Sequence, residues 1–188
     1  VIRLFREALR LQESLNALEC RFCFIGGIAL QHWGEPRVTR DLDLTVFTGF
    51  GGEPAVVDAL LSRLKPRIDD ARDFALQHRV LLLVTSGGVQ VDVALAGLAY
   101  ESELIDRART IEFEAGVALR VCTAEDLFVL KAFANREQDR ADLIGIARRR
   151  GHELDWDAIF QNLGPLVEAK EEPAILESVR RLQAEFSR

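Results

Sequence analysis

The residues able to do chemistry are concentrated between positions 24 and 92. Phe24-Ile25-Gly26-Gly27 is followed, after a thirteen-residue spacer, by Asp41-Leu42-Asp43-Leu44, and a third acid stands in Val91-Asp92-Val93. Two aspartates at i and i+2 of a strand point the same way, about 6.5–7 Å apart from the strand rise, and can share one or two hard cations. Mg²⁺ favours carboxylate oxygens together with phosphate oxygens. A third carboxylate from a neighbouring strand completes a clamp suited to in-line phosphoryl transfer. The Gly-Gly turn offers backbone N–H groups at a helix start, where no Cβ blocks a phosphate.

These residues need a scaffold, and the hydrophobic pattern supplies one. Residues 1–19 set Ile2, Phe5, Leu9, Leu11, Leu15 and Leu18 at helical spacing. Phe22 to Ile25 is too short for a helix and ends on Gly26-Gly27, so it reads as a strand and tight turn, with a helix over 28–33 that stops at Gly34 and Pro36. Asp41 to Phe47 alternates with period two, a half-buried strand with its carboxylates on one face. A helix at about 54–65 is expected to stop at Pro66. Val80–Val84 and Val89–Leu95 around Gly87-Gly88 form the clearest hairpin pattern. A helix near 100–109 follows, and a weaker hairpin around Ala115-Gly116 leads out of the sheet. From Thr123, which opens a capping pattern with Asp126, only helices are expected: 139–150, 156–163 and 173–187 follow, broken at Gly151 and at Gly164-Pro165. The layout is α/β over residues 1–122 and helical over 123–188.

Composition bounds the partners. The 188 residues carry 30 acidic and 24 basic side chains, a formal charge of −6, so a nucleic-acid contact must be local. Residues 131–150 are the one basic stretch, and Arg148-Arg149-Arg150 reads first as a helix C-terminus favoured by the dipole. The chain has no apolar run long enough for a membrane span and no signal-peptide pattern, so a cytoplasmic protein is expected. Cys20 and Cys23 have CxxC spacing without a second pair, which argues for thiols and no zinc. His32, His78 and His152 have no nucleophile at a recognisable spacing.

The glycine pair, the spacer, the Asp-x-Asp strand and the later acid together resemble the polymerase-beta-type nucleotidyltransferase superfamily. Ile25–Leu30 and Arg37–Asp43 are similar to its minimal prokaryotic members, including abortive-infection toxins. Glu125–Phe133, with Arg136, Asp139 and Asp142, is similar to the helical segment of that group. The resemblance implies a small, mixed, twisted sheet flanked by helices and followed by a C-terminal helical bundle, with the active site in the cleft between them. It implies Mg²⁺ (or Mn²⁺) on Asp41, Asp43 and Asp92, with Asp92 also helping to deprotonate an acceptor hydroxyl.

Gly26 and Gly27 would cradle an NTP triphosphate that Lys131 neutralises. Arg37 and Thr39 are phosphate candidates by proximity alone. Asp142, in competition with Asp139, is a supporting or acceptor-side residue. The expected reaction moves a nucleoside monophosphate from an NTP to a hydroxyl of RNA, such as tRNA, or of protein, with a cognate antitoxin as possible partner. A small-molecule acceptor such as an aminoglycoside, or a non-catalytic nucleotide- or partner-binding module of the same fold, are the alternatives.

Overall fold

Period-two alternation builds the sheet. In Val80–Val84 and Gln90–Ala96 alternate residues are buried, with Leu81, Leu83, Val91 and Val93 fully enclosed. Each such side chain contributes on the order of 1.5–3 kcal/mol on burial, so one face of each strand is fixed inward and the other is left for polar groups. The computed structural model describes residues 2–187. Val1, which the sequence assigns to the first helix, and the Ile2 side chain, assigned to its buried face, lie outside the described residues.

The chain forms two compact units, Val1–Ile28 with Val38–Cys122, and Ala29–Arg37 with Thr123–Arg188. The first holds a seven-stranded mixed sheet among the described residues, made of β1 (Phe22–Phe24), β2 (Leu42–Phe47), β3 (Lys65–Pro66), β4 (Val80–Val84), β5 (Gln90–Ala96), β6 (Arg109–Glu114) and β7 (Val117–Val121), in the order β3-β4-β5-β2-β1-β7-β6. β2 runs parallel to β5 and β1 to β7; the other neighbours are antiparallel. Helix α1 (Ile2–Ala17) lies along β7, where Gln12 Nε2 donates to the Ala118 carbonyl and Gln12 Oε1 accepts from the Arg120 N–H, both at 2.8 Å. α2 (Gly26–Trp33) begins in this unit and continues into the other, while α3 (Glu53–Leu61), α4 (Ala71–His78) and α5 (Ala99–Arg107) connect strands.

In this unit the structure departs from the local expectations at three points. The helix before Pro66 ends at Leu61, and Pro66 belongs to β3, an edge position where a missing N–H costs nothing. The segment 71–78, not assigned from sequence, is helical. The second hairpin does not leave the sheet, because β7 pairs with β1 and completes one edge of it.

The second unit gathers the rear of α2 with α6 (Ala124–Ala134), α7 (Glu137–Arg150), α8 (Trp156–Lys170) and α9 (Ala174–Phe186). Thr123 caps α6, its Oγ1 accepting from the Asp126 N–H at 3.1 Å, and Asp155 caps α8. Leu127, Phe128, Ile146, Ile159 and Leu163 are fully buried, and Phe128 meets Trp156 edge-on at 5.4 Å. The break expected at Gly164-Pro165 is absent. α8 runs through it, because Ile159, Leu163 and Val167 keep one continuous buried stripe whose packing outweighs the hydrogen bond that Pro165 removes. No helix among the described residues is long and apolar enough to cross a membrane.

Candidate active site

In the first unit, strand register sets the carboxylates. β2 and β5 are parallel with Asp43 directly opposite Asp92, and residues opposite one another on adjacent strands share a face, about 4.8 Å apart between strands. Leu42, Leu44, Val91 and Val93 on the other face are fully buried, which fixes both acids outward. Asp41 lies one residue before β2, exposed, and two residues before Asp43.

The glycine pair meets this same point. Gly26 adopts φ +53°, and a Cβ there would stand 2.7 Å from Asp43 Cγ, with Oδ2 nearer still. Gly27 is equally confined: its Cβ would lie 2.8 Å from Thr39 Cβ and closer to Oγ1. The Gly27 N–H points at Asp43 Oδ2 at 3.4 Å, and the Ile25 N–H donates to the Asp43 carbonyl at 2.9 Å. The first turn of α2 thus opens onto Asp43, and its N–H groups supply the partial positive charge of a helix N-terminus there. Thr39 Oγ1 lies 3.5 Å from the Asp41 carbonyl, tying the segment before the strand to its first acid.

The donor set suits a hard divalent cation. All candidates are carboxylate oxygens, and Asp92 Oδ1 is buried without a hydrogen-bond partner. Arg67 Nη2 lies 2.8 Å from that same oxygen, close enough for an ion pair but not aligned for a hydrogen bond. The aligned bond of this guanidinium goes from Nη1 to Gln90 Oε1, also at 2.8 Å. Asp43 and Asp92 share a face without closing into a cage: among the described residues no group of three or more His, Cys, Asp or Glu side chains is gathered closely enough to hold a metal. Sequence reasoning missed Arg67, which lies in a stretch without periodic signal.

In the second unit, Lys131, Asp142 and Arg37 form one network. Lys131 is buried on α6, its Nζ 2.9 Å from Asp139 Oδ1 and 2.7 Å from Asp142 Oδ2 on α7. Arg37 reaches Asp142 with two nitrogens, Nε to Oδ1 at 2.9 Å and Nη2 to Oδ2 at 3.1 Å, and Gln138 adds a third donor. Burial pushes the Asp142 carboxyl up, but hydrogen bonds from Arg37, Lys131 and Gln138 outweigh it and hold it below the ordinary carboxylate range. Asp139 also accepts from the Arg136 N–H, closing the start of α7. The segment carrying Arg37 is fastened by arginines of the same helix: Arg148 pairs with Glu35 at 2.6 Å and Arg149 donates to the Gly34 carbonyl. Arg150 stands 5.6 Å from the Trp33 ring centroid. The basic run at the end of α7 is therefore engaged in holding residues 33–37.

The chain is similar to known proteins in sequence family and in fold. The model of a family described as nucleotidyl transferase AbiEii toxin, type IV TA system, matches residues 9–149, three quarters of the chain. No curated protein sequence matches. Among solved structures, an antigenic nucleotidyltransferase-like protein from Paracoccidioides brasiliensis is similar over 94% of this chain and 92% of its own, with 16% identity and a TM-score of 0.53, a likeness of fold. The antibiotic-resistance factor ANT(2'')-Ia covers 98% of this chain and 91% of its own at 17% identity and a TM-score of 0.47. Given the extent of the family match, the chain belongs to the AbiEii nucleotidyltransferase toxins of type IV toxin–antitoxin systems and is a nucleotidyltransferase.

Proposed function

We propose that the chain transfers a nucleoside monophosphate from an NTP to a hydroxyl of RNA, tRNA included, or of protein, using Mg²⁺ or Mn²⁺ on Asp41, Asp43 and Asp92, as a toxin with a cognate antitoxin. The observation that carries this reading is the registration of Asp43 against Asp92 beside a glycine turn that no side chain can enter. A divalent cation there would neutralise charge developing on the phosphates. In this reading Asp41, Asp43 and Asp92 hold the cation, and Asp92 also takes up the acceptor hydroxyl proton. The freed oxygen bonds to the α-phosphorus as the bond to the pyrophosphate oxygen breaks, and pyrophosphate leaves. Gly26 and Gly27 present backbone N–H groups to the phosphates. Lys131 and Arg37 are the proposed phosphate-side cations, with Thr39 beside Asp41, and Asp142 orients the two cations. Nothing in this scheme needs a nucleophilic side chain, because positioning and charge neutralisation carry phosphoryl transfer.

The test incubates the protein with each α-labelled NTP, Mg²⁺, total RNA and lysate protein, beside Asp41→Asn and Asp43→Asn. Label passing covalently to RNA or protein with the wild type, and at least about a hundredfold less with either variant, is the expected result, and the labelled band identifies the acceptor class. NTP binding without transfer to any macromolecule would overturn it in favour of a small-molecule acceptor or a binding module.

A further inference from the structure

Four residues line up across the sheet on one face. Pro66 opposes Leu83, and the Arg67 N–H donates to the Leu82 carbonyl at 3.0 Å, so Arg67 sits beside Leu82. Leu82 opposes Asp92, and Asp92 opposes Asp43. Residues directly opposite one another share a face, so the Arg67 side chain crosses over Leu82 and ends on Asp92. It comes to rest on the one buried carboxylate oxygen of the acid row that lacks a hydrogen bond.

We propose that Arg67 is the internal counter-ion of the metal site, holding Asp92 when no divalent cation is bound and giving up Asp92 Oδ1 to the cation when one binds. The inference rests on the metal-binding reading of Asp41, Asp43 and Asp92. Two carboxylates directly opposite on neighbouring strands repel, and without a cation something must offset that repulsion. Arg67 does so from the β3 side. Its hold on Asp92 is a charge contact at 2.8 Å without alignment, whereas its aligned hydrogen bond goes to Gln90. Gln90 therefore steers Arg67 and keeps it anchored when Asp92 leaves, so only the charge contact is exchanged. With the two side chains 26% and 41% exposed, that contact is of the partly screened kind, on the order of two- to five-fold in an equilibrium constant, weak enough for a divalent cation to displace.

The experiment measures Mn²⁺ binding to the full chain without nucleotide, by the loss of the free-ion paramagnetic resonance signal, with thermal midpoints at zero and saturating Mn²⁺. Arg67→Gln should bind Mn²⁺ at least about two- to five-fold more tightly than wild type. Its midpoint should lie below wild type without Mn²⁺, with the gap closing at saturation. Arg67→Lys, which keeps the charge, should stay near wild type. A folded Arg67→Gln that binds Mn²⁺ equally or less tightly, or keeps the same midpoint gap in both conditions, overturns the proposal. If Arg67→Gln does not fold, Arg67→Ala decides by the same readout: tighter binding supports the counter-ion and equal or weaker binding overturns it. Wild-type binding that Asp92→Asn abolishes while Arg67→Gln changes nothing removes the counter-ion alone. Absence of Mn²⁺ binding by the wild type removes the metal reading and this proposal with it.

Discussion

Asp43 occupies the space a side chain on Gly26 would need, and Gly26 holds φ +53°, a conformation that L side chains adopt at a cost. Gly26→Ala should therefore lower stability by about 1–3 kcal/mol and push Asp43 out of line with Asp92. Nucleotide transfer should fall much further than the loss of folded protein explains. The check is transfer per folded molecule, with the folded fraction taken from circular dichroism; undiminished transfer would mean that the glycine turn and Asp43 need not meet. The glycine pair and the Asp-x-Asp were legible in the sequence because their constraint is local: a turn without Cβ atoms, and a strand of period two. Arg67 was not, since its contact with Asp92 depends on β3 and β4 pairing, and a two-residue edge strand leaves no periodic trace. Lys131, Asp139 and Asp142 were legible through the likeness of their segment to the family's helical segment, whereas the pairing of Lys131 with both acids depends on how α6 and α7 pack.

At the scale of elements, α6 and α7 are joined by buried Lys131, Asp139 and Asp142, with half-exposed Arg37 closing on Asp142, and removing Lys131 leaves buried carboxylate charge undercompensated. Lys131→Met should destabilise the chain by about 3–5 kcal/mol, so lost activity alone says nothing of a phosphate role. The informative readout is the NTP KM of variants that remain folded, which rises only if Lys131 also meets phosphate. The same network sets an acid limit. The Asp142 carboxyl is lowered in the folded chain, so its contribution is fully present above the ordinary aspartate value of about 3.9 and is lost as pH falls through the lower folded value. Thermal midpoints of wild type and Asp142→Asn should thus differ most at neutral pH and converge below about pH 4. A difference that stays constant down to pH 2 would contradict the assignment. Taking the difference matters, because the carboxyls of Glu7 and Glu53 are lowered too. Helix and strand types were mostly readable from periodicity. Pro66 and Pro165 misled as boundaries because an edge strand and a well-buried helical stripe each tolerate a missing N–H.

For the whole molecule, the distribution of charge decides how an RNA acceptor would be held. The sheet unit carries 16 acidic and 13 basic residues and the helical unit 14 and 11, so each has a formal charge of −3. The one basic run, at the end of α7, is already engaged with Gly34, Glu35, Trp33 and Glu153. With charge so distributed, an RNA acceptor is not expected to be tracked along its phosphate backbone. The protein would take an RNA by a short segment, such as a terminus whose hydroxyl is the acceptor, with few phosphate contacts. Because each neutralised single-strand phosphate adds about 0.7 to the logarithmic salt dependence, RNA labelling efficiency at low substrate should fall with a slope of only about −1 to −2 between 50 and 200 mM salt. A slope of about −5 or steeper would require seven or so phosphate contacts. That result would mean that the acidic totals hide an extended basic surface, and acceptor recognition would then have to be sought along the RNA rather than at its end.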